Sequence, residues 1–435
     1  MLEKSIIQFC RNLEGLRDFV EVIDGFLDEK IKEDINIDTM GFAPLVLAMA
    51  ESDPEEFNLS DKQKEKLRSE FGDNISIEFE EKEGGSKGGY KINVGDEGKK
   101  RFSSALERIQ KQDSRRKNLY HSSLISLVSN VECFISELIH HHYKKNPNAI
   151  GAKDKVLSLE DLKSFGSVDD AISHIIEGKV ESVLRGSFDD WIKALKKDLN
   201  LSMGYIAEHR DSLLEACLRR NLLVHNNGTV NTIYLKNIPD SISDVPSVGK
   251  RLTVSSGYLE DNISNFEKCF ILAASELWKK EDPKNSLRGS LLTKIAYDHL
   301  EKERWDVSGS LSFFVMGDKG LSESSRLTAQ INYWQAKKWG GDFESVRKDI
   351  EDSDFSAKDQ IYSFAKYLLL DKLDDAMSLI PMLLDTKTID LDDVFSWPLL
   401  KILREEKDQE IEEICAPYQQ GDEVIEELDG DSAAH

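Results

Sequence analysis

With 435 residues, 40% hydrophobic and 32% charged, the chain has room for two or three domains and the make-up of a globular protein. Its formal charge of −24, from 57 basic against 81 acidic residues, argues against a broad duplex-binding surface, which needs clustered cations to neutralise phosphates. A small cleft holding a phosphate or two is compatible with that charge, because local potential need not follow the net value.

No uninterrupted apolar run approaches the roughly 18–20 residues of a membrane span. The stretch from Met1 to Cys10 lacks a signal-peptide pattern, so a cytoplasmic protein with no membrane partner is expected. The five cysteines (Cys10, Cys133, Cys217, Cys269, Cys415) are scattered and have neither metal-site nor redox-motif spacing, which predicts reduced core thiols.

Ile6, Ile7, Leu13, Leu16, Phe19, Val20, Ile23 and Phe26 recur at near-helical spacing and predict one or two helices over 1–36. Short helices are expected from Pro44 to Ala50 and from Asp61 to Phe71. Alternation of Ile75, Ile77 and Phe79, then of Tyr90, Ile92 and Val94, predicts a β-hairpin over about 75–94. Its loop, Gly84-Gly85-Ser86-Lys87-Gly88-Gly89, lacks the order of a phosphate-binding loop and opens no helix, so it reads as a hairpin connection. Residues 1–112 are thus expected to form an N-terminal helical module with a β-hairpin.

Long helices follow. Phe102, Leu106 and Ile109 mark one amphipathic segment, and Asn118 to Tyr143 carries Leu124, Val128, Val131, Ile135 and Leu138 at alternating spacings of four and three. Beside that stripe stand Ile125, Ser129, Glu132, Ser136 and Ile139, either a bundle edge or part of a site. Further helices are expected at Leu159–Phe165, Val168–Leu184, Phe188–Leu199, Arg210–Val224 and Tyr258–Trp278, with a short extended piece at Arg251–Ser255. Together they predict a helical bundle over 113–283, ended by a linker at Lys279-Lys280-Glu281-Asp282-Pro283. Short helical pairs from Leu287 to Leu383 predict a helical-repeat-like region over 284–418, a class of fold that binds partners on a concave face. The acid-rich end, 419–435, reads as a disordered tail.

The stretch Arg219-Arg220-Asn221-Leu222-Leu223-Val224-His225-Asn226-Asn227-Gly228 ends a helix in a turn signal. Asn221 and His225, four apart, share a face; Arg220 lies on the flanking row, and Arg219 is expected to project outward. The rows Leu214-Leu218-Asn221-His225 and Leu213-Cys217-Arg220-Val224 begin apolar, which places their polar ends on the same inward surface. In the bland account His225 caps the helix end and Arg220 pairs with an acid such as Glu132 or Glu208. In the functional account His225 moves a proton during attack by an RNA 2′-hydroxyl, Arg220 holds the phosphate, and Asn221 orients the imidazole or contacts substrate. That chemistry needs neither a metal nor another cofactor, and none is expected.

At Arg220-Asn221-x-x-x-His225 the chain resembles the Arg-x(4–6)-His signature of the HEPN superfamily, with the following Asn226-Asn227-Gly228 and the upstream helix around Glu132 also matching the pattern. The resemblance covers about 113–280. It implies catalytic Arg220, Asn221 and His225, supporting Glu132 and Asn226, and a homodimer in which two motifs meet across one cleft. It further implies a metal-independent endoribonuclease, a nuclease and hydrolase of the toxin or antiviral-defence (abortive-infection) kind. RNA would be its substrate, and an inhibitor or trigger protein would act through the N- or C-terminal region. Some HEPN proteins are non-catalytic adaptors, which leaves a dimeric module binding a protein or nucleic acid as the alternative.

Other clusters carry less. Adjacent side chains of His140-His141-His142 point about 100° apart on a helix and do not converge on one ion. Asp374-Asp375 and Asp390 to Asp393 lack the order of a calcium loop. Arg115-Arg116-Lys117 is either a solvated helix start or a source of positive potential near substrate. The expected fold is therefore mainly α: a central HEPN-like bundle between an N-terminal α+β-hairpin module and a C-terminal helical-repeat-like region.

Overall fold

The computed structural model describes residues 2–38, 76–80, 89–93, 96–150, 165–243 and 245–430, with positions 60, 62–65, 158 and 160 between them. The expected helix from Pro44 to Ala50, and most of those at Asp61–Phe71 and Leu159–Phe165, lie outside the described residues.

The fold is mainly α. The helices that carry the bundle are α1 (Leu2–Asp38), α2 (Asp96–Lys145), α3 (Val168–Leu184), α4 (Phe188–Lys197), α5 (Arg210–Asn226), α6 (Thr232–Asn237) and α7 (Ser256–Glu281). Beyond them run α8 (Ser286–Glu301), α9 (Trp305–Met316), α10 (Glu323–Trp339), α11 (Glu344–Asp352), α12 (Gln360–Leu369), α13 (Leu373–Met377) and α14 (Ile380–Asp385). The series ends with α15 (Leu391–Ser396), α16 (Lys401–Glu406) and α17 (Asp408–Gly430). The acid-rich stretch expected to be disordered is helical as far as Gly430, as the continuation of α17.

Strands β1 (Ser76–Glu80) and β2 (Gly89–Asn93) pair antiparallel, with Ser76 opposite Asn93 and Phe79 opposite Tyr90. They do not join α1 in a separate N-terminal module. Leu2, Ile6, Phe9 and Leu13 of α1 share one core with Leu124, Val128, Val131 and Ile135 of α2. Phe9 stacks on Phe134 at 4.2 Å, while Tyr120 donates to Asp24 at 2.7 Å, so the two helices run antiparallel. The helix that this spacing predicts is present, with Phe19 and Phe26 52% and 60% exposed on its outer row.

Helix α2 is the axis of the bundle. All five residues of its expected stripe are fully buried, each contributing roughly 1.5–3 kcal/mol of hydrophobic stabilisation. Its segment Gln110–Lys145 is long and apolar enough to cross a membrane, although no run in it is uninterrupted. Half of its most apolar stretch is buried inside the fold, and α1, α3, α5 and α7 pack on it, which is the setting of a core helix. Of the cysteines, Cys217, Cys269 and Cys415 are buried thiols, Cys10 is half-buried and Cys133 is exposed.

The apolar core does not break at 112/113 or at 283. It runs from α1 through α9 to Ala329, and a second core begins at Ile331 on the same helix, α10, and continues to Cys415. The expected linker is a locked joint. Helix α7 continues to Glu281, and the Arg288 guanidinium behind it donates to the Asp282 carbonyl (2.8 Å), the Pro283 carbonyl (3.1 Å) and Asp318 (2.7 and 3.1 Å). Gly320 completes the joint, because a Cβ there would stand 2.2 Å from the Pro283 carbonyl oxygen.

A second ionic seam ties α1 to the start of α9. Glu14 accepts from Lys302 and Arg304, both at 2.5 Å. Burial raises the Glu14 carboxyl, but these two cations outweigh it and hold it down to about 2. A depressed carboxylate stabilises the fold fully above its unfolded value of about 4.3 and loses that contribution as pH falls through its folded value. Urea unfolding of wild type and Glu14→Gln at pH 7, 4 and 3 is therefore expected to show a large stability gap at pH 7 that narrows steadily toward pH 3.

Candidate functional site

Helix α5 begins inside the bundle and ends outside it. Leu213, Ala216 and Cys217 are buried against α2 and α7, whereas Asn221, Val224 and His225 in its last turns are exposed. The expected inward surface for Asn221 and His225 is thus corrected: the apolar start of their row does not set its end, because in the last turns only Arg220 and the Leu222–Leu223 side of α5 stay packed while the Asn221–His225 row faces out. Asn221 and His225 do share one accessible face, as their spacing requires.

Arg220 is the exception, half-buried against α2. Its Nη2 pairs with Oε1 of Glu132, on the row beside the α2 stripe, and the two side chains are 19% and 23% exposed. The Arg220 Nε is buried and has no hydrogen-bond partner among the described residues. Of the two acids that the sequence offers for Arg220, Glu132 takes the role, while Glu208 lies within 3.9 Å of the neighbouring His209.

The end of α5 is pinned. Asn227 adopts a left-handed conformation (φ 49°) and Gly228 follows at φ +72°, conformations that Asn and Gly tolerate best. The N–H groups of both fold back to the Leu222 carbonyl, closing the helix. The Asn226 amide donates to the Thr229 carbonyl at 2.6 Å, which gives that residue a role in the turn. The chain then pairs with the strand-like piece expected near Arg251: Val230 N–H donates to Lys250 (2.8 Å) and Leu252 N–H to Gly228 (2.9 Å). Leu222, Val230, Tyr234 and Leu252 form a small separate core beneath this end.

Arg219 does not project outward. It donates to Glu215 (2.7 Å) and the Thr253 carbonyl (2.7 Å) and lies 4.0 Å above the Tyr258 ring. Glu215, 2% exposed, also accepts from Tyr234 (2.6 Å) and Tyr258 (2.5 Å), joining α5, α6 and α7 at one carboxylate. Burial and the Glu215 charge push both phenols well above their usual range, so they act as donors. No local signal in the sequence pointed to these tyrosines.

His121, on α2, is a second residue that the sequence reading passed over. Its Nε2 is buried and has no hydrogen-bond partner among the described residues. Burial and the nearby cations Lys117, Arg251 and Arg219 lower its imidazole below the ordinary value, which favours the neutral ring. The only early hint was the basic run Arg115-Arg116-Lys117 one turn before it; Arg116 itself is engaged by Asp24 (2.6 Å) and Asp28. His141 and His142 both reach Glu281, at 2.8 and 3.9 Å, tying the end of α2 to the end of α7. Among the described residues no cluster of three or more metal-ligating side chains is present.

A large cleft, of about 1540 Å³, opens on the other flank of α5 between α7, α9 and α10. Ser212, Glu215 and Arg219 line it, while Arg220, Asn221 and His225 do not. The fold and the site together define a mainly α-helical protein that presents an Asn–His face, with an acid-held arginine on the next row, at the pinned end of a core helix. No protein-family model matches the chain, and no curated protein or solved structure matches it.

Proposed function

We propose that this protein is a metal-independent endoribonuclease of the HEPN type, working as a homodimer. The reading is carried by one observation: Asn221 and His225 stand on an accessible helix face whose end is immobilised, with Arg220 held on the adjacent row by Glu132. A site for chemistry needs side chains that substrate can reach on a scaffold that does not move. An exposed face also leaves room for a second copy to bring its own motif alongside.

In this reading the RNA 2′-oxygen attacks the adjacent phosphorus and the bond to the 5′-oxygen breaks. His225 takes the 2′-hydroxyl proton or delivers one to the departing 5′-oxygen. Arg220 holds the phosphate oxygens as charge builds on them, and Asn221 orients the imidazole or the substrate. The pinned turn at Asn226 keeps His225 in place. A cytoplasmic toxin or antiviral-defence effector fits a nuclease of this kind, with the N-terminal hairpin region and the repeat-like C-terminal helices as places for an inhibitor or trigger to act.

The predicted products are a 2′,3′-cyclic phosphate and a 5′-hydroxyl. Fragments are expected to accept label from polynucleotide kinase without prior phosphatase treatment. Products bearing 5′-phosphates contradict 2′-hydroxyl attack.

The second reading is a non-catalytic dimeric adaptor. It is favoured by the Arg220–Glu132 pair, which partly neutralises the cation meant for phosphate, and by the formal charge of −24. An adaptor has no use for Asn221 and His225 in their present positions, so the nuclease is preferred.

A further inference from the structure

We propose that the cleft along α7 is a docking groove for an extended, cationic polypeptide segment, a role independent of the nuclease reading. The groove-facing side of α7 runs from Tyr258 to Lys279, about 30 Å at the helical rise. That length holds about nine residues of extended chain.

The floor of the groove is polar where a core helix should be apolar. Asn262, only 3% exposed, donates its Nδ2 to the Tyr258 carbonyl at 2.8 Å, and its buried Oδ1 has no partner among the described residues. An unpaired buried acceptor costs roughly 1–3 kcal/mol, which an incoming N–H recovers. Asn265 lies one turn further along the same side, half-buried. Primary amides spaced along a groove match the alternating donors and acceptors of a peptide backbone.

Charge sets the sign of the guest. Seven carboxylates and five cationic side chains line the cleft. Each of the cations is already held by a carboxylate. Among the described residues, exposed Asp261 has no counter-ion and Glu208 has only His209 at 3.9 Å. Lysine or arginine side chains therefore find free acceptors, whereas a nucleic acid meets net repulsion. Phe313, 58% exposed and 5.5 Å from Tyr333, offers the apolar and cation–π contact that such a segment needs. Glu215 and Arg219 wall the groove, which places the bound segment against helix α5.

The test uses a phage-displayed random dodecapeptide library panned on the full-length protein. Enriched sequences are then synthesised with a fluorescent label and measured by anisotropy. Enriched peptides are expected to carry several Lys or Arg residues and to lose affinity as salt rises. They are expected to bind Asp261→Lys and Phe313→Ser at least tenfold more weakly. Both positions are exposed, so these variants keep the fold, as thermal melts will verify. Enrichment no better than on an unrelated acidic protein overturns the proposal. So do acidic consensus sequences, equal affinity for both variants, or displacement of the peptides by oligouridylate.

Discussion

Arg220→Ala is expected to lower single-turnover RNA cleavage by about 10²–10³-fold while leaving the fold intact, the loss typical of one charge-stabilising donor. The separation of the two effects follows from geometry. Arg220 and Glu132 are 19% and 23% exposed at the edge of the bundle, so breaking the pair frees a carboxylate that water can reach. The stability cost is about 1 kcal/mol or less. Arg220→Lys is expected to restore little, because a point charge cannot serve Glu132 and a phosphate together as the guanidinium fork does. Cleavage at the wild-type rate by Arg220→Ala, with a lower melting temperature, would make the pair purely structural.

Arg288→Ala is expected to destabilise the protein by about 3–5 kcal/mol, the cost of breaking a buried ion pair by removing one partner. Arg288 and Asp318 are both fully buried, and Asp318 also accepts from the Gly320 N–H at 3.0 Å. Loss of the guanidinium leaves that carboxylate with only Lys279 at 3.3 Å and the Gly320 N–H, and strands the carbonyls of Asp282 and Pro283 where α7 turns into α8. Although burial opposes it, the Arg288 hydrogen bonds hold the Asp318 carboxyl below its usual range. The joint is therefore stable above the unfolded carboxylate value and weakens in acid. Asp318→Asn should fall in the same range as Arg288→Ala, since the guanidinium then loses its charge partner. Urea unfolding followed by circular dichroism measures both; a shift under 1 kcal/mol in either would contradict this account of the joint.

The sequence was most informative where periodicity alone decides structure. The α2 stripe from Leu124 to Leu138 was legible because every residue in it faces a packed neighbour along its length. The Arg220–Glu132 partnership was legible too, as one of two acids available to that arginine. Failures came where partners are distant in the chain. Arg219 was misplaced because its holders are Glu215, one turn away but buried by tyrosines of other helices, and the Thr253 carbonyl. His225 was misplaced because no local pattern reveals that only the Leu222–Leu223 side of the last turns of α5 stays packed. The linker signal at Lys279–Pro283 has ordinary linker composition; what stiffens it is Arg288 and Asp318, 30 residues apart. His121 was invisible because its neighbours, Arg219 and Arg251, arrive from α5 and from the ribbon after it.

The most direct test of the central claim is cleavage of a mixed RNA substrate by purified wild type and His225→Ala in excess EDTA. Wild type is expected to cut and His225→Ala to be slower by about 10²–10⁴-fold, the contribution of a positioned acid or base. Equal cleavage by the two proteins, or cleavage by wild type that EDTA abolishes, would contradict a metal-independent site built on His225.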